Sequence, residues 1–301
     1  MKNISSLLKN AGHILCLKRN SIYDYFTSKI VRCSIGDLML LRDEMYENQF
    51  LVASRVCDIK YYMHDNVDDF PFQTEISSVK YGLDNYNATF YNDRFKKLIE
   101  SYKENGCKDD FPLIADNFFR LADGNHRLAC NYFFQIEEIG VKFTQRIVPY
   151  KLGIDSFLNS NLSESFLKTV VAEYKQIQKE LISRGDCFCC LTSDELFVDL
   201  LSYSAKILKK VVVDLKEEMT LPDKTNVRPG IFFLALFSLS SPNYCQKNGS
   251  LFSKRIVDLR RILNIRMNSD KEGDKVLFLS NNCLEGYKLY NRIKKYIQEK
   301  I

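Results

Sequence analysis

The stretch Leu121-Ala122-Asp123-Gly124-Asn125-His126-Arg127-Leu128-Ala129-Cys130 holds the residue types best suited to chemistry. An apolar strand-like run ends, a glycine permits a sharp turn, and a helix begins with His and Arg in its first turn. That arrangement makes an anion site. The first four backbone N–H groups of a helix have no internal partner, and the helix dipole adds about half a positive charge at that end. A phosphate group satisfies both. Gly124 lets the backbone approach a ligand closely. Arg127 can fork onto two phosphate oxygens. His126 can donate one more hydrogen bond or take a proton near pH 7. Asn125 can cap the helix or touch the ligand. The same residues can also form a plain tight turn at Asp123-Gly124, with Asn125 as a cap and Arg127 in solvent.

The flanking pattern says what should position this turn. Glu75–Tyr81 has the β-branched content of a strand, and Gly82–Asn87 reads as a loop. A helix is expected from Asn92 or Asp93, with Phe95, Leu98, Ile99 and Tyr102 as one apolar stripe and Gly106 as its left-handed terminator. Phe111–Ala115 and Phe119–Ala122 are expected as short strands. Leu128, Tyr132 and Ile136, spaced by four, predict a helix ending near Gly140, and Val141–Val148 a last strand. The order β, α, β-β, α, β is a compact α/β unit over residues 70–150.

Residues 1–69 and 151–301 are expected to be mainly helical. Ser34 can cap a helix from Ile35 to about Asn48, and Phe50–Tyr62 fits helix or strand. Ser163 can cap a helix ending at Gly185. A second helix opens at Thr192 or Ser193 and buries Leu196, Phe197, Leu200, Leu201, Ile207 and Leu208. Ile231–Ser240 is buried as helix or strand, and Lys254–Arg266 and Leu284–Ile301 read as two more helices, basic on their outer sides.

Composition narrows the function. With 301 residues, 46% hydrophobic and 27% charged, the chain is globular rather than collagenous, mucin-like or disordered. A net charge of +5 allows an anionic ligand without demanding one; dedicated DNA-binding domains tend to exceed a pI of about 9. The ten cysteines are scattered and suggest reduced thiols in the cytoplasm. Lys9, Asn10, Gly12 and His13 interrupt any leader-like apolar run. The longest apolar stretch, Ile231–Leu239, is about half of the ~20 residues a membrane span needs. Three histidines, His13, His64 and His126, leave little material for a His-rich metal site. Cys187-Phe188-Cys189-Cys190 has no second pair at zinc spacing, so a buried thiol cluster is the plainer reading and no metal ligands are assigned. The basic clusters Lys254–Arg266 and Lys288–Lys300 fit either solvated helix faces or contact with nucleic acid.

Asp123-Gly124-Asn125-His126-Arg127-Leu128-Ala129 resembles the phosphate-binding motif of the ParB/sulfiredoxin superfamily, Asp-Gly-X-His-Arg-X-X-Ala. The likeness extends over residues 70–150, roughly a quarter of the chain, through the helix ending at Gly106, the Pro112-Leu113-Ile114 strand and the strand after the motif helix. It implies that Asp123, Gly124, Asn125, His126 and Arg127 hold the phosphates of ATP or ADP, with CTP an allowed variant. Sulfiredoxins carry a catalytic Cys where this chain has Asn125. Partition proteins carry Arg where it has His126. The Asp-Gly-X-His-Arg form looks most like the small-molecule kinases of the superfamily. That resemblance implies phosphoryl transfer to a hydroxyl of a small acceptor, Mg2+ on the phosphates, His126 and Arg127 stabilising the transferred charge, and a carboxylate base. The loop between first strand and first helix contains Asp84, the candidate base, with Asp93 and Glu75 as alternatives. A non-catalytic nucleotide- or DNA-binding regulator is the second reading. DNA is allowed but not favoured.

Overall fold

A computed structural model describes residues 29–39, 47–65, 69–80, 85–106, 111–116, 119–144, 161–239, 243–247, 250–269 and 276–298. It is a mixed helix and sheet protein built on two main sheets.

The first sheet carries the motif. Its strands are β1 (Val31–Cys33), β2 (Leu113–Ala115), β3 (Leu121–Asp123) and β4 (Ile139–Phe143), in the order β1-β4-β2-β3. β4 runs parallel to β2 and antiparallel to β1, while β2 and β3 are antiparallel. The helices α1 (Ile35–Leu38), α2 (Glu47–Asp65), α3 (Pro71–Glu75), α4 (Asn85–Asn105) and α5 (Asn125–Phe133) accompany it. Ser34 caps α1 in a reciprocal capping box with Asp37.

α2 resolves the ambiguous Phe50–Tyr62 run as helix. Every residue from Phe50 to Ile59 is buried, because α5 covers one side and α6 (Glu164–Arg184) another. A helix buried all round loses its periodic signature, so length rather than period identifies it.

Two expectations change here. Of the strand expected at Glu75–Tyr81, the described part, Glu75–Lys80, is helical instead: α3 runs into a π-helical turn, Ile76–Lys80. Pro71 sits at its start, and the buried Asp58 carboxylate accepts the N–H groups of Phe72 (2.9 Å) and Gln73 (2.8 Å). This cap comes from α2, over a dozen residues upstream, and outweighs the weak β preference of Ile76 and Val79. The fourth strand of the sheet is instead β1. The helix predicted from Asn92 begins earlier, at Asn85. Gly106 ends it at φ 67°, as expected of a left-handed terminator.

The C-terminal region, expected to be mainly helical, contains a five-stranded antiparallel sheet in the order β12-β5-β9-β6-β13. Its strands are β5 (Phe188–Thr192), β6 (Lys206–Leu215), β9 (Gly230–Ser238), β12 (Leu277–Leu279) and β13 (Ile297–Gln298). Two small ribbons, β7 (Met219–Thr220) with β8 (Asn226–Val227) and β10 (Tyr244–Lys247) with β11 (Ser250–Ser253), complete the strands. The helices are α6, α7 (Glu195–Ser202), α8 (Lys254–Ser269) and α9 (Cys283–Ile293). α6 has the predicted limits, with Ser163 as cap and Gly185 at φ 74°. α7 stops at Ser202, so Ile207 and Leu208 belong to β6. Val211, Val212 and Val213 favour the strand, and β9 pairs along its length.

β5 divides two cores. Phe188 and Cys190 face the large core shared with α2, α5 and α6, while Cys187, Cys189 and Leu191 face a second core against α9. The Cys187–Cys190 segment is thus strand packing on alternate faces. Burial pushes the Cys190 thiol up to about 12, which keeps it protonated.

A buried polar junction ties the two sheets. Asp186, just before β5, accepts a 2.5 Å hydrogen bond from the Ser34 hydroxyl. Burial, and then the Asp37 carboxylate, push the Asp186 carboxyl from 3.8 up to about 7. The folded chain therefore holds this proton more tightly than the unfolded chain. The resulting stabilisation is full below about pH 4 and is lost as pH rises toward 7. Asp186→Asn keeps an acceptor for Ser34 but cannot ionise. Its stability relative to wild type is expected to rise by on the order of 3 kcal/mol between pH 4 and pH 8. Urea midpoints across that range measure it; a pH-independent difference would contradict the assignment.

Candidate functional site at the Gly124 turn

β3 ends at Asp123 and Gly124 opens α5 with φ 114° and ψ 16°. No side chain caps the helix, which starts with the Leu128 N–H donating to the Gly124 carbonyl at 2.8 Å. Only glycine adopts this backbone readily, and a Cβ here would lie 2.4 Å from Leu113 Cδ2. Gly124, not Asn125, is the N-cap; Asn125 is the first helical residue, half-buried.

Arg127 braces the turn. One guanidinium nitrogen donates to the carbonyls of Phe111 (2.6 Å) and Pro112 (3.0 Å), and the other to Asp123 Oδ2 at 2.7 Å. The fork expected for phosphate is spent on the loop entering β2 and on the carboxylate four residues back. Asp123 itself is largely exposed.

His126 turns inward. Its Nε2 bonds Gln73 Oε1, and its ring meets Phe95 edge-on at 4.6 Å. Gln73 in turn donates to Asn92 Oδ1 at 2.8 Å, and Asn92 donates to Thr74 Oγ1 at 2.9 Å. Burial, then the charges of Arg55, Arg94 and Arg127, hold the imidazole well below its usual range. A neutral ring with Nε2–H donating to Gln73 follows, rather than one exchanging a proton near pH 7.

Those three arginines act on the His126 ring as positive charges, Arg127 while paired with Asp123 and Arg55 beside Asp58. Arg55 is buried in α2, 3.9 Å from Asp58 Oδ2, whose carboxyl burial pushes up to about 7. Arg94 is exposed on α4 and stacks 5.7 Å from the Phe90 ring centroid. Phe90 and Tyr91 are exposed, and Phe111, whose carbonyl Arg127 grips, is 69% exposed. Sequence reasoning missed Arg55, Arg94, Gln73 and Phe111. Arg94 sits one position before the apolar stripe begun by Phe95, and nothing local relates it to a turn some thirty residues later.

Asp84, the candidate base, lies outside the described residues. Asp93 is exposed on α4. Glu75 accepts the Ser163 N–H at 2.7 Å, at the cap of α6, and so serves the helix junction. The basic clusters are also accounted for in part. Arg260 donates to the Leu279 carbonyl (2.6 Å) and to Asn281 Oδ1 (3.1 Å), while Lys288 pairs with Glu138 and Lys295 with Glu217. Lys254, Arg255 and Arg261 lie on the exposed side of α8, opposite the buried Ile256, Leu259 and Leu263. Among the described residues, no helix is long and apolar enough to cross a membrane. Compared with known proteins, the chain matches no family model, no curated protein and no solved structure.

Proposed function

We propose that this protein binds a nucleotide through its phosphates at the N-terminus of α5. The observation that carries the reading is Gly124. It opens α5 at positive φ with no capping side chain, and Arg55, Arg94 and Arg127 act as positive charges on His126 two residues on. First-turn N–H groups and the helix dipole then meet a phosphate, as the resemblance to the ParB/sulfiredoxin motif implies. The engagement of His126 with Gln73 and of Arg127 with the turn's own backbone and Asp123 supports binding more directly than catalysis. Arg127 holds the turn in shape, and Arg94 supplies the charge that contacts the ligand.

The catalytic form of the proposal is phosphoryl transfer from ATP or ADP to a hydroxyl of a small metabolite, with Asp84 as base. Mg2+ in such sites is held by one or two carboxylates and by the phosphates, whose charge it neutralises. Asp123, exposed at the turn, is a carboxylate that fits this role. The regulatory form binds nucleotide without transfer.

Thermal shift with millimolar ATP, ADP or CTP and Mg2+ tests the reading. Wild type should be stabilised, by about 2.7 kcal/mol at a hundredfold excess over Kd. Arg94→Ala should weaken binding about tenfold, the worth of one charge-assisted hydrogen bond. Phe111→Ala should weaken nucleotide but not inorganic phosphate, since base stacking is worth about 1–3 kcal/mol. Absence of a shift with all three nucleotides refutes the proposal. Acceptor-dependent ADP formation that Asp84→Asn abolishes would favour the kinase form.

A further inference from the structure

A cleft of about 410 Å3 opens where the connection from α5 to β4, the end of α6 and the outer face of α9 meet. It lies apart in sequence from the Gly124 turn and shares no described side chain with it. Arg184 and Lys294 contribute two cations to its wall, against the single carboxylate of Glu137. That carboxylate is already engaged by the Tyr287 hydroxyl at 2.8 Å.

Arg184 is the informative residue. It is half-buried, and its guanidinium lies 5.8 Å from the Tyr287 ring centroid. Among the described residues its guanidinium makes no hydrogen bond and no ion pair within 4 Å, although it lies in the field of Glu180 and Asp186. A guanidinium stacked on an aromatic ring keeps its edge N–H groups directed outward and loses little freedom on binding. Its place in the last turn of α6 complements the helix dipole, but that role needs charge alone and no cleft. Lys294 follows α9, with its ammonium 3.0 Å from Asn291 Oδ1. Ser183 and Asn291 add hydroxyl and amide groups to the lining. The volume is in the range of small-ligand sites, roughly 300–1,000 Å3.

We infer that this cleft binds a small phosphate monoester. Arg184 takes two phosphate oxygens through its fork, Lys294 neutralises the remaining charge, and Ser183, Asn291 and Glu137 meet the hydroxyls of the attached polar group. The inference does not depend on the reading of the Gly124 turn.

Calorimetric titration of the full chain with ribose 5-phosphate, inorganic phosphate and ribose tests it. Both phosphates should bind, the ester more tightly, and ribose should not. Arg184→Ala and Lys294→Ala should each weaken ribose 5-phosphate by about tenfold or more. Lys288→Ala removes the same charge from an ion pair with Glu138 and should leave binding unchanged. Lys294 is exposed, so its variant keeps the test decisive if Arg184→Ala folds poorly. The inference is overturned if no phosphate binds, if Lys288→Ala is as damaging as Lys294→Ala, or if Arg94→Ala abolishes binding while the cleft variants retain it.

Discussion

Asp37→Ala should cost the folded chain on the order of 3–5 kcal/mol, a large part of the ~5–15 kcal/mol that a folded domain typically has. Asp37 is fully buried and all of its acceptor capacity is used. Oδ1 accepts the Tyr244 hydroxyl at 2.6 Å and the Cys283 N–H at 2.8 Å. Oδ2 accepts the N–H groups of Ser34 (3.1 Å) and Leu284 (3.3 Å). One carboxylate thus completes the capping box of α1, caps α9 some 246 residues later, and anchors the β10 ribbon. Burial raises its pKa while these donors oppose the rise. Truncation strands several buried donors at once, each costing about 1–3 kcal/mol before water enters the gap. Asp37→Asn should fall between, since it keeps one acceptor but turns an NH2 toward two N–H groups. Urea unfolding measures both variants. A loss below about 1 kcal/mol for Asp37→Ala would mean that the junction is held mainly by apolar packing.

Gly124→Ala carries the second largest effect, and it reaches the proposed site as well as stability. The backbone at φ 114° costs any L-residue about 1–3 kcal/mol. The added methyl would lie 2.4 Å from Leu113 Cδ2, and Leu113 is buried, so its side chain can yield little. Overpacking adds about 1–3 kcal/mol. The total should be about 2–5 kcal/mol, with loss of the nucleotide-induced thermal shift because the first-turn N–H groups move. Leu113→Ala placed in the Gly124→Ala background separates the two parts. It should relieve the steric share relative to its own cavity cost and leave the backbone share, a coupling that a double-mutant cycle reads directly. Full additivity of the two substitutions would show that the methyl never meets Leu113.

The motif illustrates how far local reading goes. Strand, turn and helix follow from a glycine between an apolar run and a four-residue periodicity, and the structure keeps all three, but the helix stops at Phe133, short of the Gly140 expected, and β4 already begins at Ile139. What the side chains do there does not follow. His126 faces Gln73 because α3 passes beside α5, and Gln73 is presented because Asp58 on α2 caps α3. Arg127 closes on Phe111 and Pro112 because β2 pairs with β3. Each of these partners is distant in sequence, and the strand expected at Glu75–Tyr81 failed for the same reason.

By itself, the sequence determined the short-range features: the caps Ser34 and Ser163, the terminators Gly106 and Gly185, the apolar stripe of α4, and a positive-φ turn opening a helix at Gly124. Those depend on backbone freedom and hydrogen bonds spanning a few residues. The tertiary structure alone decided the rest. It placed Val31–Cys33 as the missing strand and turned Lys206–Leu215 into a sheet centred on β9. It also drew Arg55 and Arg94 to the surroundings of His126. Burial and long-range pairing supply the free energy for those choices, and they are properties of the packed chain rather than of any window along it.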